Sequence, residues 1–418
     1  MTVHVTADPG IAEGTLDRFQ QASLGYFDRE SHPISGLVSD SDTTGSHASI
    51  AGTGFGLACN VLAAGRGSAT RLEAAQRTLT TLRFLTTTRE SSSHGFFYHF
   101  LDPVTGQRAG KCEISTMDSS LLFAGAIVVS QYFDGDSAVE REVRSLADNI
   151  YLRADWRWAS PREPVVSHGW TPEKGFLRYD WRGYNEALLL YILALGSPSH
   201  PVSSASYDAW LTSYKWKSLY GHELLYAGPL FIHQMPHAFI DFRGIADGYM
   251  RGRRSDYFEN SRRATYVQRE YAMRNPRQFA RYGENCWGVS ASAGPNSGKF
   301  FGYRARGVPY GPDDGTISPL ATAASLPFAP EIVLPALEHM QNVSTHESTW
   351  SSCFNATYSP DEQAWTSSHS YAIDEGVAAL MIENHRSDLI WALLRKSPYI
   401  VRGLERAGFT GGWLDEGL

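Results

Sequence analysis

The sequence is poor in the features that mark several common protein classes. Its four cysteines, Cys59, Cys112, Cys286 and Cys353, stand far apart among 418 residues, and no C-x-x-C pair occurs. This spacing spells neither a zinc ribbon nor a dithiol redox motif and reads as separate reduced thiols. No run of 18 apolar residues is present, so no segment reads as a membrane span and no membrane partner is expected. The start, MTVHVTADPG, lacks a basic stretch followed by an apolar one. As given, the chain reads as cytoplasmic, or as periplasmic or secreted if a signal segment has been removed. Long runs of one charge sign are also missing, since the formal charge of -7 comes from 44 acidic and 37 basic residues dispersed along the chain. Tracking a phosphate backbone needs a cationic stripe, so nucleic acid is not an expected partner. Strict apolar/polar alternation over six or more positions is scarce, which argues against a sheet-based fold.

What is present is helical periodicity. Hydrophobic residues make up 42 % and charged residues 19 %, enough apolar surface for a large core. Apolar residues recur at spacings of three and four, and the candidate helices fall into two kinds. One kind is amphipathic: 70–87, 137–152, 331–342 and 387–396, each with one wet face. The other is apolar or small on every side: 50–64 (IAGTGFGLACNVLAA), 118–131, 185–196 (NEALLLYILALG) and 374–382. Further candidates lie at 11–30, 207–215, 256–273, 317–326 and 397–408. About a dozen helices alternating between exposed and buried character imply two concentric rings, an all-α (α/α)6 barrel. No linker composition interrupts 1–418, so a single domain is expected.

The connecting segments 88–115, 154–182, 216–250 and 275–316 are long and rich in Gly, Pro, Trp, His and Tyr, as functional loops over one end of a barrel would be. Short strands are expected there, as in GFFYHFLD at 95–102. Acidic residues open the buried helices: Asp118, Glu186, and the pair Asp374 and Glu375, with Asp313 and Asp314 before the helix at 317. Acids stabilise the first turn of any helix through capping and the dipole. In a double ring, however, the inner helices run parallel, so these carboxylates would gather at one mouth. A protonated carboxyl and an ionised carboxylate in one cleft are the pair that acetal hydrolysis requires.

Three other patterns carry less. Gly52-x-Gly54-x-Gly56 opens a helix, but no strand precedes it, so dinucleotide binding is not implied. His233 and His237 are four apart, yet Pro236 between them argues against a helix and hence against a metal-binding face. The cluster Arg251, Arg253 and Arg254 reads as a solvated face.

Several segments, in order, resemble the glycoamylase-like family: GYNE at 183–186, AGPLF at 227–231, HAFIDFRG at 237–244, CWGVSAS at 286–292, DDGTISPLA at 313–321 and AIDEGVAALMIENHRSDLIW at 372–391. That group includes glycoside hydrolase family 144, endo-β-1,2-glucanases built on an (α/α)6 barrel, and the similarity runs from about Phe19 to Phe409. The resemblance implies an inverting hydrolase of a β-glucan or β-gluco-oligosaccharide, most simply β-1,2-linked, with Glu186 of GYNE as general acid. Asp118 matches the acidic position before the preceding inner helix. Where family 144 proteins commonly carry a Glu three residues later, this chain has Leu121, and it has Glu113 instead. Asp118 or Glu113 would therefore handle the nucleophilic water. The transglycosylase domain of cyclic β-1,2-glucan synthases shares the segment Ile114 to Asp118 but carries a nucleophilic Glu in W-G-x-S-E, where this chain has Ala291.

Trp287, Tyr184, Asn185, His99 and Tyr358 are candidate subsite residues, and Asp241, Arg243, Asp314, Asp374 and Glu375 are candidate ligands of sugar hydroxyls. The expected partner is an oligo- or polysaccharide, and this chemistry calls for no metal or cofactor. The rival readings are an exo-acting glycosidase or transglycosylase of the same superfamily, a polysaccharide lyase or epimerase, and a non-catalytic glycan-binding protein.

Overall fold

The computed structural model describes residues 9–295, 302–346, 349–350, 352–359 and 364–416. Its helices come in pairs along the chain. α1 (Pro9–Glu30) precedes α2 (Ile50–Gly65), α3 (Arg71–Thr87) precedes α4 (Thr116–Tyr132), and α5 (Ala138–Leu152) precedes α6 (Ala187–Gly196). α7 (Ser204–Leu211) precedes α8 (Leu230–Phe239), the short α9 (Gly248–Gly252) and long α10 (Tyr257–Arg274) precede α11 (Pro319–Ala323), and α12 (Pro330–Ser344) precedes α13 (Ala372–Ser387). α14 (Leu389–Arg395), α15 (Pro398–Arg406) and α16 (Gly412–Asp415) follow.

The second helix of each pair is buried on nearly every face, and every residue of α6 is buried. These helices form the inner ring. α2 packs on α4, α4 on α6, and α6 on α8. From α8, Gln234 Nε2 donates to Ala321 O at 2.6 Å and Ser325 Oγ at 2.7 Å, joining it to the α11 segment. α11 then packs on α13, and α13 closes the ring on α2. The outer layer is amphipathic: α3 and α5 lie against α2 and α4, α10 against α8, α12 against α11, and α1 against α13. α7 is short, and most of the cover over α6 comes from α15 at the other end of the chain. This is an α/α barrel.

Glycines set the closest approaches. A Cβ on Gly125 of α4 would lie 2.1 Å from Gly54 O of α2, and one on Gly54 would lie 2.4 Å from Leu121 O. The G-x-G-x-G pattern at 52–56 is thus a helix-packing device, with Gly54 admitting the α4 backbone. Gly403 of α15 approaches Ile192 of α6 in the same way.

Short strands tie loops to the N-terminal ends of inner helices. Ala48–Ser49, directly before α2, pairs antiparallel with Phe100–Leu101. Ile114–Ser115, directly before α4, joins Gly169–Thr171 and Gly175–Phe176 in a three-stranded sheet. Thr316–Ile317, before α11, pairs with Phe354–Asn355. The long loops are therefore gathered over one end of the ring.

Segment 216–250, expected as a connection, contains the hairpin Trp216–Leu219/His222–Leu225 and the inner helix α8. Pro236 lies inside that helix rather than preventing it. Its ring removes one N–H donor, but residues 233–239 are all buried, and tertiary packing outweighs the local cost. His233 and His237 do share a helix, yet both serve packing. His233 sits between Tyr184 Oη (3.0 Å from Nδ1) and Ala227 O (3.2 Å from Nε2). A carbonyl only accepts, so Nε2 carries the proton and Nδ1 accepts from the tyrosine. Burial pushes its pKa down to about 4 and that of His237 to about 3. All four cysteines are free, three of them buried.

Candidate active site

The N-terminal turns of the inner helices enclose a cavity of about 350 Å³. Four carboxyl groups line it: Glu113, Asp118, Glu186 and Asp374. Glu186 and Asp118 are placed by local devices at the starts of α6 and α4, and Glu113 and Asp374 are held by more distant partners.

Glu186 is held by the GYNE turn. Gly183 takes a left-handed φ of 74°, where a Cβ would press on Ser213 Oγ at 2.9 Å. Asn185 Oδ1 accepts from Ala187 N, the first N–H of α6, at 3.1 Å, while Tyr184 Oη anchors the turn to His233 of α8. Glu186 itself occupies the N-cap position with its carboxyl at the cavity. The helix terminus favours the ionised form. Burial acts the other way and wins, with help from the charge of Asp118, lifting the Glu186 pKa to about 7.

Asp118 is the third residue of α4. Its N–H donates to the N-cap Ser115 Oγ at 3.2 Å, and Ser115 Oγ in turn donates to Asp118 Oδ2. On the other carboxylate oxygen, Asp118 Oδ1 lies 3.5 Å from His99 Nε2. The opposite ring nitrogen, His99 Nδ1, is 3.0 Å from Glu113 Oε1. The imidazole therefore bridges two carboxylates. Burial alone would lower its pKa, but Asp118 and Glu113 outweigh that and raise it to about 9. Glu113 is correspondingly held below the usual carboxylate range by its hydrogen bond from His99.

Asp374, in the first turn of α13, accepts from Tyr303 Oη at 3.0 Å. Burial, reinforced by Glu375 and Asp40 against the Tyr303 bond, pushes its pKa up to about 8. Asp40, on the segment leading into α2, is lifted to about 6 by burial, against the pull of His99 and with the push of Asp118. One wall is aromatic: His168 stacks on Trp181 with ring centroids 3.8 Å apart, and both line the cavity. Ser290 and Ala291 line it as well, so a methyl group faces the cavity at position 291. One ionised and one protonated carboxyl facing the same space can take a proton from one atom and deliver a proton to another.

Of the residues singled out from sequence, the structure thus brings His99, Glu113, Asp118, Glu186 and Asp374 together. Others stand elsewhere. Trp287 is fully buried in the core beneath α11, where its carbonyl accepts from Thr322 Oγ1 at 2.8 Å. Tyr184 and Asn185 are spent on building the turn that carries Glu186, and neither lines the cavity. Asp241 is buried and paired with Arg243 and Arg395, beside Trp391 and Trp413, as part of a structural ion cluster after α8. Glu375 points to the other side of α13 and accepts from Ser23 Oγ of α1 at 2.6 Å. Asp314 is clamped by Arg306 and Arg304; these hold its carboxyl well below the normal range although burial opposes them. Tyr358 is exposed and does not line the cavity. Among the described residues, no group of three His, Cys, Asp or Glu side chains is placed to hold a metal ion, and no helix is long and apolar enough to cross a membrane.

Sequence reasoning missed Asp40, His168, Trp181 and Tyr303. His168 and Trp181 lie in the aromatic-rich segment 154–182, which gave a regional signal but no way to choose among its rings. Asp40 and Tyr303 carried no local signal, because only the closed ring brings them beside Asp118 and Asp374.

The barrel with a carboxylate-lined mouth is the architecture of the α/α-barrel glycoside hydrolases. The chain belongs to the glycoamylase family, whose model, described as "Putative glucoamylase", matches residues 178–398. A structure from Bacteroides uniformis described in the same words is 30 % identical, with a TM-score of 0.88, and the match covers 97 % of this chain and 99 % of that one. The endo-β-1,2-glucanase from Chitinophaga pinensis, solved with sophorotriose and glucose, is 25 % identical with a TM-score of 0.86 over 96 % of this chain and 99 % of its own. An exo β-1,2-glucooligosaccharide sophorohydrolase (non-reducing end) from Parabacteroides distasonis is 27 % identical over 97 % of this chain. This chain spans 59 % of the length of that curated relative.

Proposed function

We propose that this chain is a glycoside hydrolase acting on β-1,2-linked glucans or gluco-oligosaccharides by an inverting acid/base mechanism, with residues 1–418 as one catalytic barrel. The observation that carries the mechanism is the pairing of a carboxyl raised to about 7, Glu186, with a carboxylate braced by Ser115 and His99, Asp118, on one cavity. The substrate class rests on the relatives, which match nearly the whole chain and act on β-1,2-glucans or their oligosaccharides.

In this reading Glu186 donates its proton to the glycosidic oxygen as the bond from that oxygen to C1 breaks. Asp118 takes a proton from a water that attacks C1 from the opposite face. Ala291 supports a direct water attack, since a methyl group cannot form a glycosyl ester. His168 and Trp181 offer a sugar-stacking wall, and Asp374, protonated at neutral pH, can donate a hydrogen bond to a sugar hydroxyl.

The test is incubation with β-1,2-glucan, β-1,3- and β-1,4-glucans and short oligosaccharides, with products separated by chromatography. Cleavage confined to the β-1,2 series supports the reading, and turnover only of other linkages overturns its substrate class. Sophorose accumulating from the first time points marks exo action, and a ladder of intermediate lengths marks endo action.

A further inference from the structure

Ser115 holds one carboxylate oxygen of Asp118, Oδ2, which leaves Oδ1 to be aimed by another group. The structure offers one group in position. His99 presents Nδ1 to Glu113 Oε1 at 3.0 Å and Nε2 toward Asp118 Oδ1 at 3.5 Å, and its ring face is packed on Phe100 at 4.0 Å between centroids. Its backbone is also pinned: His99 N donates to Glu113 O at 2.8 Å, and His99 O accepts from Ile50 N at 3.2 Å. These two bonds fix the point on the loop before α2 from which the ring projects.

We propose that His99 is a positioning residue for this reaction, a ring held between Glu113 and Asp118 that keeps the Asp118 carboxylate aimed at the attacking water, with Glu113 fixing the ring from its other nitrogen. The inference rests on the reading of Asp118 as general base. A neutral imidazole has one N–H and could satisfy only one of two carboxylate acceptors, whereas the imidazolium donates from both nitrogens. Asp40 adds negative charge from the α2 side, while His168, Glu186 and Asp374 face the same cavity from the loop at 168, from α6 and from α13.

The sign of the test follows. Replacing His99 removes a positive charge 3.5 Å from the general base, so the acidic limb of the kcat–pH profile in His99→Gln should move upward by about one unit or more. The basic limb, set by Glu186, should stay in place. Glu113→Gln should move the acidic limb in the same direction by less, because Gln still accepts a hydrogen bond but no longer stabilises the cation. Histidine 15N spectra of the wild type, with the His99 signal assigned by its shift in Glu113→Gln, should show both ring nitrogens protonated at pH 8. A uniform loss of rate with an unmoved acidic limb, or a neutral His99 ring at pH 7, would overturn the proposal. If Asp118→Asn keeps the wild-type acidic limb, the general-base reading itself fails. If Asp118→Asn abolishes turnover while His99→Gln leaves the limb unmoved, only the role of His99 fails.

Discussion

Glu186 and Asp118 face one cavity from the first turns of neighbouring inner helices, and burial leaves the first protonated near neutral pH while Ser115 and His99 brace the second. Glu186→Gln keeps the shape and removes the transferable proton. Its kcat should fall by about 10²–10⁴-fold, with circular dichroism and melting behaviour at pH 5 unchanged. Retention of more than a tenth of the activity would remove Glu186 from the role of proton donor.

The same shift sets the upper pH limit. An acid must be protonated to act, so kcat should decline as pH rises through about 7, the folded pKa of Glu186. The limb should vanish in any variant rescued by substrates with activated leaving groups, which need no proton. A profile flat to pH 9 on an unactivated substrate would contradict the assignment.

Asp374 makes a prediction about stability. Its folded pKa of about 8 lies above the ordinary value of 3.8, so its stabilising contribution is complete at pH below about 4 and is lost as pH rises through 8, where a buried carboxylate must form. Asp374→Asn keeps an acceptor for Tyr303 and has nothing to ionise. Relative to wild type, its melting temperature should rise between pH 5 and pH 9. A constant difference across that range would mean that Asp374 does not titrate there.

Stereochemistry discriminates the mechanism. Proton NMR of a fresh digest of a β-linked substrate should show the α-anomer first at the new reducing end. Initial β-anomer would require a nucleophile other than the side chain at 291, which is Ala291.

The barrel itself can be tested at Gly125. Adding one methyl there meets Gly54 O at 2.1 Å, and backbone cannot yield as a flexible side chain does. Gly125→Ala should destabilise the protein by about 1–3 kcal/mol or more, as overpacking does. Gly67→Ala, where the φ of 74° is strained but the space is open, provides a comparison free of steric contact. An unchanged melt for Gly125→Ala would mean that α2 and α4 are not in backbone contact.

Sequence alone determined the helical architecture and where carboxylates would gather, because both depend on local rules. All-round apolarity marks helices such as α2 and α6 as inner, and residues in first turns, such as Asp118 and Asp374, share one end once the inner helices run parallel. Ala291 and the role of GYNE were legible through the family resemblance instead. α8 was not, since Pro236 is a local breaker that only burial overrides. The tertiary structure decided which acids and rings belong to the site. Asp374 and Glu375 are adjacent in sequence and carry the same capping signal, but a step of 100° around α13 sends one to the cavity and the other to Ser23 on α1. Trp287 and Trp181 are both tryptophans in long loops, and only the packing of the loops puts the first in the core and the second beside His168. Protonation was decided there too, because a pKa is set by the burial and charges that many distant residues bring to one point, and those distances exist only in the folded chain.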